Sequence, residues 1–436
     1  MLKILCFFLI SVALNAQENQ EKKTYKKRVL EATELELLAS YYTQDGSNAS
    51  VTGGIGTEKL SDVATDIVVS IPLNDDDILI VDAGISAYTS ASSSNLNPFD
   101  GKQPADPFVA SSGASQADNL ISVSGTYSHS SEDRNTVWSA NVSFANEFDY
   151  TSFGFGGSIT KLFNEKNTEL SVNANVFLDS WSVIYPYELG GGRGGEGHNW
   201  KPFNINDYVV TGNLNYLPKF TPYNKTNRNT YSLGISFSQI LSKRAQMSFL
   251  LDLTQQEGLL ANHMQRVYFS DVANTYIENF HLADDVERLP GTRFKTALGT
   301  RFNYYINEQF VVRTFYRYYF DNWNIQSHTA SIELPFKLTD KWTLYPSYRY
   351  YTQTAATYFA PYDQHISTSS FYTSDYDLSM FIAHQYGVGV SYSNPFSSFK
   401  ISKFRFKSFD IKYDYYKRNT GLKASIISGG ATFIFD

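Results

Sequence analysis

Between Arg293 and Phe320 the chain reads RFKTALGTRFNYYINEQFVVRTFYRYYF, and its cations keep to one parity. Arg293, Lys295 and Arg301 precede INEQ, and Arg313 and Arg317 follow it. Phe294, Leu298, Phe302 and Tyr304, then Val312, Tyr316, Tyr318 and Phe320, take the alternate positions. Successive side chains of a strand point to opposite faces, so two such strands set a guanidinium face against an apolar one. Arg349, in YPSYRYYTQT, continues the basic set. Near the start of the chain the same parity argument groups Glu34, Glu36, Asp62, Asp66 and Asp82. Asp66 and Asp82 lie nearly equidistant from the turn NDDD, which makes them cross-strand neighbours or close diagonals. Opposed rows of fixed charge attract and orient polar solutes; they select and do not make bonds.

Other chemistry-bearing stretches are weaker. HLADDVER (His281, Asp284, Asp285, Glu287) gathers carboxylates beside an imidazole, but its spacing fits neither a zinc nor a calcium loop, and a solvated loop is expected. GGGRGGEGH lacks the Gly-Lys-Ser/Thr ending of a phosphate loop. None of the seven histidines (His129, His198, His263, His281, His328, His365, His384) lies in a motif that argues for catalysis. The expectation is a protein with no catalytic residues, no metal site and no cofactor.

The elements that must hold these rows are strands throughout. Period-two patterning predicts sixteen, near 32–44, 61–73, 77–91, 119–130, 135–149, 151–163, 167–181, 229–241, 244–255, 292–306, 309–322, 326–338, 341–354, 379–394, 405–417 and 420–435. Polar turns such as NDDD, SSEDRN, NEKN, LSKR, INEQ and LTDK alternate with longer connections at 45–60, 92–118, 182–228, 256–291 and 355–378. Polar faces carry Ser122, Ser124, Thr126, Ser139, Asn141, Ser143, Gly154 and Gly156, where a soluble sandwich would put more charge. Short turns on one side, long loops on the other and an even strand count predict an all-β fold: a transmembrane antiparallel up-and-down β-barrel with periplasmic turns and extracellular loops. A charge on the lipid side of such a barrel costs about 2–4 kcal/mol at the midplane, so both charged rows must face the lumen. The alternative is a soluble β-sandwich or propeller.

Composition agrees. Of 436 residues, 32 are Tyr and 32 Phe, types that favour strands and water–lipid boundaries. The opening MLKILCFFLISVALNAQ reads as a secretory signal peptide of residues 1–16, despite the unusual Leu14, and it contains the single cysteine, Cys6. Residues 17–30 read as a short periplasmic linker, and 31–436 as one outer-membrane barrel domain. Loss of Lys3 would take the formal charge from −7 to −8, which does not suggest a nucleic-acid partner. The terminal GGATFIFD is the kind of last strand that the barrel-assembly machinery reads, although it ends on Asp436.

The chain resembles a family of bacterial outer-membrane proteins grouped as domain of unknown function 3570. The likeness rests on ELELLASYYTQDGSNASVTGGIGTEKLSDVATDIVVSIPL and DAGISAYTSASS near the start. It continues in RLPGTRF, VVRTFYRYYFDNWNIQSHTASIELPFK, YPSYRYYTQTAATYFAPY and YTSDYDLS, and so spans nearly all of the mature chain. The resemblance assigns no activity. It implies a Bacteroidota-type envelope and gene neighbours that encode a flavin transferase and thioredoxin-like envelope proteins, and hence a place in an envelope redox or protein-modification system.

Two functions follow as expectations. One is an outer-membrane pore or channel for small polar or charged solutes, with opposed acidic and basic lumen arcs. The other is a structural or docking barrel with a closed or plugged lumen, whose long loops bind envelope protein partners. The charges themselves have two readings, a transverse field or simple solvation and pairing with neighbours such as Glu333 and Asp414. Whether the 182–228 loop plugs the barrel is not decided by the sequence.

Overall fold

The computed structural model describes residues 28–89, 99, 117–190 and 203–435. The expected signal peptide, with Cys6, most of the linker, His198 and most of GGGRGGEGH lie outside them. Sixteen long strands follow one another. They are β1 (Thr33–Asp45), β2 (Leu60–Pro72), β3 (Asp77–Thr89), β4 (Ala117–Ser130), β5 (Thr136–Asn146) and β6 (Tyr150–Phe163). Then come β7 (Thr168–Trp181), β8 (Asn227–Ser242), β9 (Ala245–Gly258), β10 (Thr292–Tyr305) and β11 (Val311–Asp321). The last are β12 (Gln326–Glu333), β13 (Trp342–Gln353), β14 (Phe381–Ser393), β15 (Phe404–Arg418) and β16 (Lys423–Phe435). Each pairs antiparallel with the next, and β16 pairs with β1 from Thr33↔Phe435 to Asp45↔Lys423. The sheet closes on itself, which rules out the sandwich and leaves no free edge. The result is an outer-membrane-type barrel of sixteen strands.

Local chemistry sets the boundaries. In NDDD, Asn74 Oδ1 accepts from the backbone N–H groups of Asp76 and Asp77 at 2.8 and 2.9 Å. Asn164, Glu165 and Lys166 turn the chain at φ 49, 56 and 69°. Asn307 Oδ1 caps INEQ through Gln309 and Phe310, both at 2.9 Å. The strand expected over 326–338 is broken instead, because Pro335 supplies no N–H to the ladder; β12 stops at Glu333, and pairing resumes only at Phe336–Lys337. The strand expected to run to 149 ends at Asn146, and Phe148 stands exposed in the turn.

The outer face is a continuous apolar belt. Leu37, Ile67, Ile85, Val142, Phe155, Leu233, Phe249, Leu298, Ile332, Val388, Ile411 and Ile427 are all exposed, each on the outward parity of its strand. A soluble monomer does not carry a girdle of this size, and only hydrocarbon accommodates it.

Candidate functional site: a charged lumen under a folded cap

The register fixes the inner face all the way round. Asp62 pairs with Tyr42 and Tyr88, Tyr42 with Ile426, Ile426 with Asp414, Asp414 with Gly387, and Gly387 with Ser347. Ser347 pairs with Glu333, Glu333 with Arg313, and Arg313 with Asn303. Arg293, Lys295, Arg301, Arg313, Arg317 and Arg349 all fall on this face, and so do Glu34, Glu36, Asp62, Asp66 and Asp82. The basic residues occupy β10, β11 and β13, and the acidic ones β1 to β3, across the ring from them. Asp66 lies opposite Gly84, which makes Asp82 its diagonal neighbour. On the β5 to β9 side much of the wall between the two sets is small and polar, whereas on the other side β15 brings Asp410, Lys412 and Asp414 to the inner face. Ser139 and Ser158 are hydrogen-bonded at 2.8 Å, as are Ser238 and Ser248, and the amide oxygens of Asn141 and Asn175 close over Gly156.

Several of these charges are committed to partners. Arg293 binds Asp321 at 2.5 Å with its guanidinium 4.2 Å from the ring of Trp323. Arg313 meets Glu333 at 2.9 Å, Glu34 meets Lys407 at 2.6 Å, and Asp62 accepts from Ser86 Oγ at 2.7 Å. Asp414 pairs with Lys412 at 3.1 Å. Arg317 stands 3.9 Å from Asp252, and Arg301 lies over Phe315 at 5.6 Å. The inward side chains of Arg317 and Asp252 in mid-barrel are 44 and 58% exposed, and that of Arg313, at the turn end, is 57% exposed, so water reaches them.

The hydrophobic core of the molecule sits in the loops. Val51, Leu189, Val267, Tyr268, Phe269, Ile277, Phe280, Leu282, Val286 and Tyr372 are buried, and all belong to the 46–59, 182–226, 259–291 and 354–380 connections. Arg266 ties three of them together: it meets Glu188 at 2.6 and 3.0 Å and donates from Nη1 to Val51 O at 3.1 Å. Tyr372 OH donates to Asp285 at 2.5 Å and brings in the fourth. Gly53 takes φ +78° where a Cβ would press on the Tyr268 ring, so this contact requires glycine. The loops thus form one folded cap.

The cap crosses the mouth of the barrel. A cavity of about 490 Å³ is bounded by the inward Tyr88, Trp181, Arg228 and Arg293 and by cap residues including Asn262, Glu287 and Asp375. A second, of about 550 Å³, is bounded by Tyr42, Tyr416 and Arg418 and again by Asn262 and Asp375. Asn262 and Asp375 therefore stand between the two, over the lumen. The segments that reach this position are 259–264 and 375–378; of the described part of the 182–228 loop, Ile184 braces the first of them through its carbonyl, 2.8 Å from His263 Nδ1, while Tyr185 and Leu189 pack against Tyr268. Gln353 Nε2 donates to the carbonyls of Asp377 and Ser379 at 2.9 and 2.6 Å, and Arg418 holds Asp377 at 2.6 Å.

Two carboxyls meet at this crossing, Glu287 buried and Asp375 partly so. Burial, reinforced by the charge of Asp375, pushes Glu287 up to about 8. Burial and then the charge of Asp377 raise Asp375 as well. Glu287 accepts from Asn262 N at 2.5 Å, and the Gln265 amide, assigned with its nitrogen toward Glu287, lies 3.1 Å away.

The solvated loop expected at HLADDVER is corrected by this arrangement. His281, Asp284, Asp285 and Glu287 are all buried, each with its own partner: Tyr362 OH, Phe269 N, Arg288 and Asn262 N. Parity reasoning also misses the rim anchors. Asp179 and Trp181 hold Arg228 at the end of β7 as Asp321 and Trp323 hold Arg293 at the end of β11. The signal is present as a repeated Asp-x-Trp, in LDSW and FDNW.

Comparison with known proteins adds the following. A family model described as "Protein of unknown function (DUF3570)" matches residues 7–432. No curated protein matches the sequence. Solved structures similar to the chain include a bacterial polysaccharide outer membrane secretin, at 11% identity and a TM-score of 0.45, covering 92% of this chain and 98% of that one. A FadL homologue of Pseudomonas aeruginosa shows 12% identity and a TM-score of 0.39, covering 93 and 91%. A BenF-like porin of Pseudomonas fluorescens Pf-5 shows 7% and 0.40, covering 91 and 97%.

Proposed function

The chain belongs to the DUF3570 family of proteins of unknown function, and from that premise and the geometry of the lumen we propose that it is an outer-membrane channel for small polar solutes, entered through a folded cap. The observation that carries this reading is the exposure of charged side chains inside the ring. Arg317 and Asp252, in mid-barrel, would be buried and fully paired if the lumen were packed, yet about half of each side chain is open. A water-filled lumen with small polar walls is a conduit, and its opposed charged sides orient a dipolar or charged solute on its way through. The cations that act on the solute are those not locked into rim anchors: Lys295, Arg301, Arg317 and Arg349, with Arg313 shared with Glu333. Opposite them stand Glu36, Asp66 and Asp82.

The cap favours a second reading, a docking barrel whose mouth is kept shut and whose outer loops hold an envelope partner. It is supported by the buried Arg266–Glu188 ion pair and the hydrogen bonds Arg266–Val51 and Tyr372–Asp285, which together weld four loops. Planar-bilayer conductance separates the two. Discrete open steps from the purified full-length protein are expected for a channel. Silence at all voltages, together with a partner that co-purifies through the cap, would overturn the channel reading.

A further inference from the structure

On the outward face, the register sets two lysines directly opposite each other, Lys417 of β15 and Lys423 of β16. Both are exposed, and neither has a carboxylate within 4.0 Å among the described residues. Like charges facing each other across antiparallel strands repel, so a bare pair is an unfavourable arrangement. Their neighbours in the same row are His384 of β14, opposite Lys417, and Asp45 of β1, opposite Lys423; Asp45 makes no ion pair with it. His384 Nδ1 and Tyr348 OH are hydrogen-bonded at 2.8 Å; with the hydroxyl assigned as donor, the ring proton sits on Nε2, the other nitrogen.

Depth along the strands gives the row its meaning. Toward the turn end, the outward residues that follow are Tyr415 and Tyr413, then Ile411 on β15, and Tyr386 and Val388 on β14. The lysines thus stand one step beyond a tyrosine girdle, where the apolar belt ends and lipid headgroups begin. Long ammonium side chains at that level reach into the headgroup layer.

We propose that Lys417, Lys423 and Nε2 of His384 form a binding site for a phosphate of an anionic lipid headgroup on the mouth side of the membrane. The site rests on the reading that the apolar belt lies in a membrane. A phosphate carries the double charge that two ammonium groups need, and its oxygens take the imidazole N–H as a third donor. Between the two lysines it turns a repulsive pair into a bridged one.

The test is native mass spectrometry of the detergent-purified full-length protein mixed with bisphosphorylated lipid A, with the dephosphorylated lipid, or with inorganic phosphate. Wild type should retain the phosphorylated lipid, and Lys417→Gln/Lys423→Gln should retain at least tenfold less. Lys417→Arg/Lys423→Arg should restore retention, and the turn-side control Lys243→Gln should behave as wild type. Equal retention by the Gln double variant, or of the dephosphorylated lipid, overturns the site. Binding of inorganic phosphate without preference for the lipid overturns it too, in favour of a soluble anion. Insertion into phosphatidylcholine vesicles, read as heat-modifiable gel mobility, keeps the arms apart: failure to insert refutes the membrane reading, whereas insertion without lipid retention refutes this site alone.

Discussion

Arg266 and Glu188 meet through two contacts, at 2.6 and 3.0 Å, with neither side chain exposed to solvent. Removing one partner of such a pair strands the other charge, which costs roughly 3–5 kcal/mol. The pair joins loops and not strands, so that cost falls on the cap. Arg266→Met should leave the barrel folded, with its heat-modifiable mobility intact, while the 259–291 loop becomes sensitive to protease and conductance rises. Arg266→Met with Glu188→Leu should recover most of the protection, because no charge is left unpaired. Loss of the barrel itself in the single variant would contradict the separation of cap from wall.

The basic row divides into structural and solute-facing members. Arg293 covers Asp321, whose side chain is wholly buried, whereas Arg317 is 44% exposed and only 3.9 Å from its nearest carboxylate. Arg293→Leu should therefore destabilise by roughly 3–5 kcal/mol, by the same stranded-charge argument. Arg317→Leu should stay within about 1 kcal/mol. Urea unfolding in lipid vesicles checks this, and equal effects would show that the rim anchor does not hold the loops.

Strands and faces were legible in the sequence because a closed barrel makes every residue answer to one local rule, the two-residue pleat. The single strand Thr292–Tyr305 carries that rule without help from the rest of the chain. The cap obeys no such rule. Arg266 is satisfied by Glu188, 78 positions away, and by Val51, 215 away. HLADDVER looks like solvated loop because its partners come from other loops, and a polar string carries no mark of being buried. Pairing inside the lumen was partly legible: Glu333, a candidate neighbour of the arginines, does meet Arg313, whereas Asp414 turns to Lys412.

From pH 8.5 to 7, protonation of Glu287 should tighten the crossing. Burial holds Glu287 at about 8, above its ordinary 4.5, so the folded cap binds a proton that the unfolded loop releases. A carboxyl raised in this way contributes most below its ordinary value, and the contribution falls as pH rises from 4.5 toward 8. Asp375 is itself raised, and Asn262 and Gln265 do not titrate, whereas His263 of the same segment is held below its ordinary 6.5 by burial and opposes the effect only below that pH. Hydrogen exchange of the 259–264 amides, corrected for intrinsic rates, should show less protection at pH 8.5 than at 7, a window above the range in which His263 takes up a proton. Glu287→Gln should flatten the difference. A wild-type profile without slope would remove Glu287 from the crossing's stability.

Charge selection is the sharpest consequence of the open lumen. Arg313→Glu places a second carboxylate beside Glu333, and Arg317→Glu places another near Asp252, so the double variant turns a cationic patch into an anionic one. Reversal potentials in a potassium chloride gradient should move toward cation preference. Asp66→Asn with Asp82→Asn, on the opposite wall, should move them the other way. Both shifts should shrink as salt is raised from 0.1 to 1 M, since the screening length falls from about 10 to about 3 Å. A pore whose charges only solvate its walls responds to neither change, because wetting depends on polarity and not on sign. Opposite shifts from opposite walls therefore identify the field as what the solute meets, and unchanged potentials in both variants would reduce the arcs to hydration.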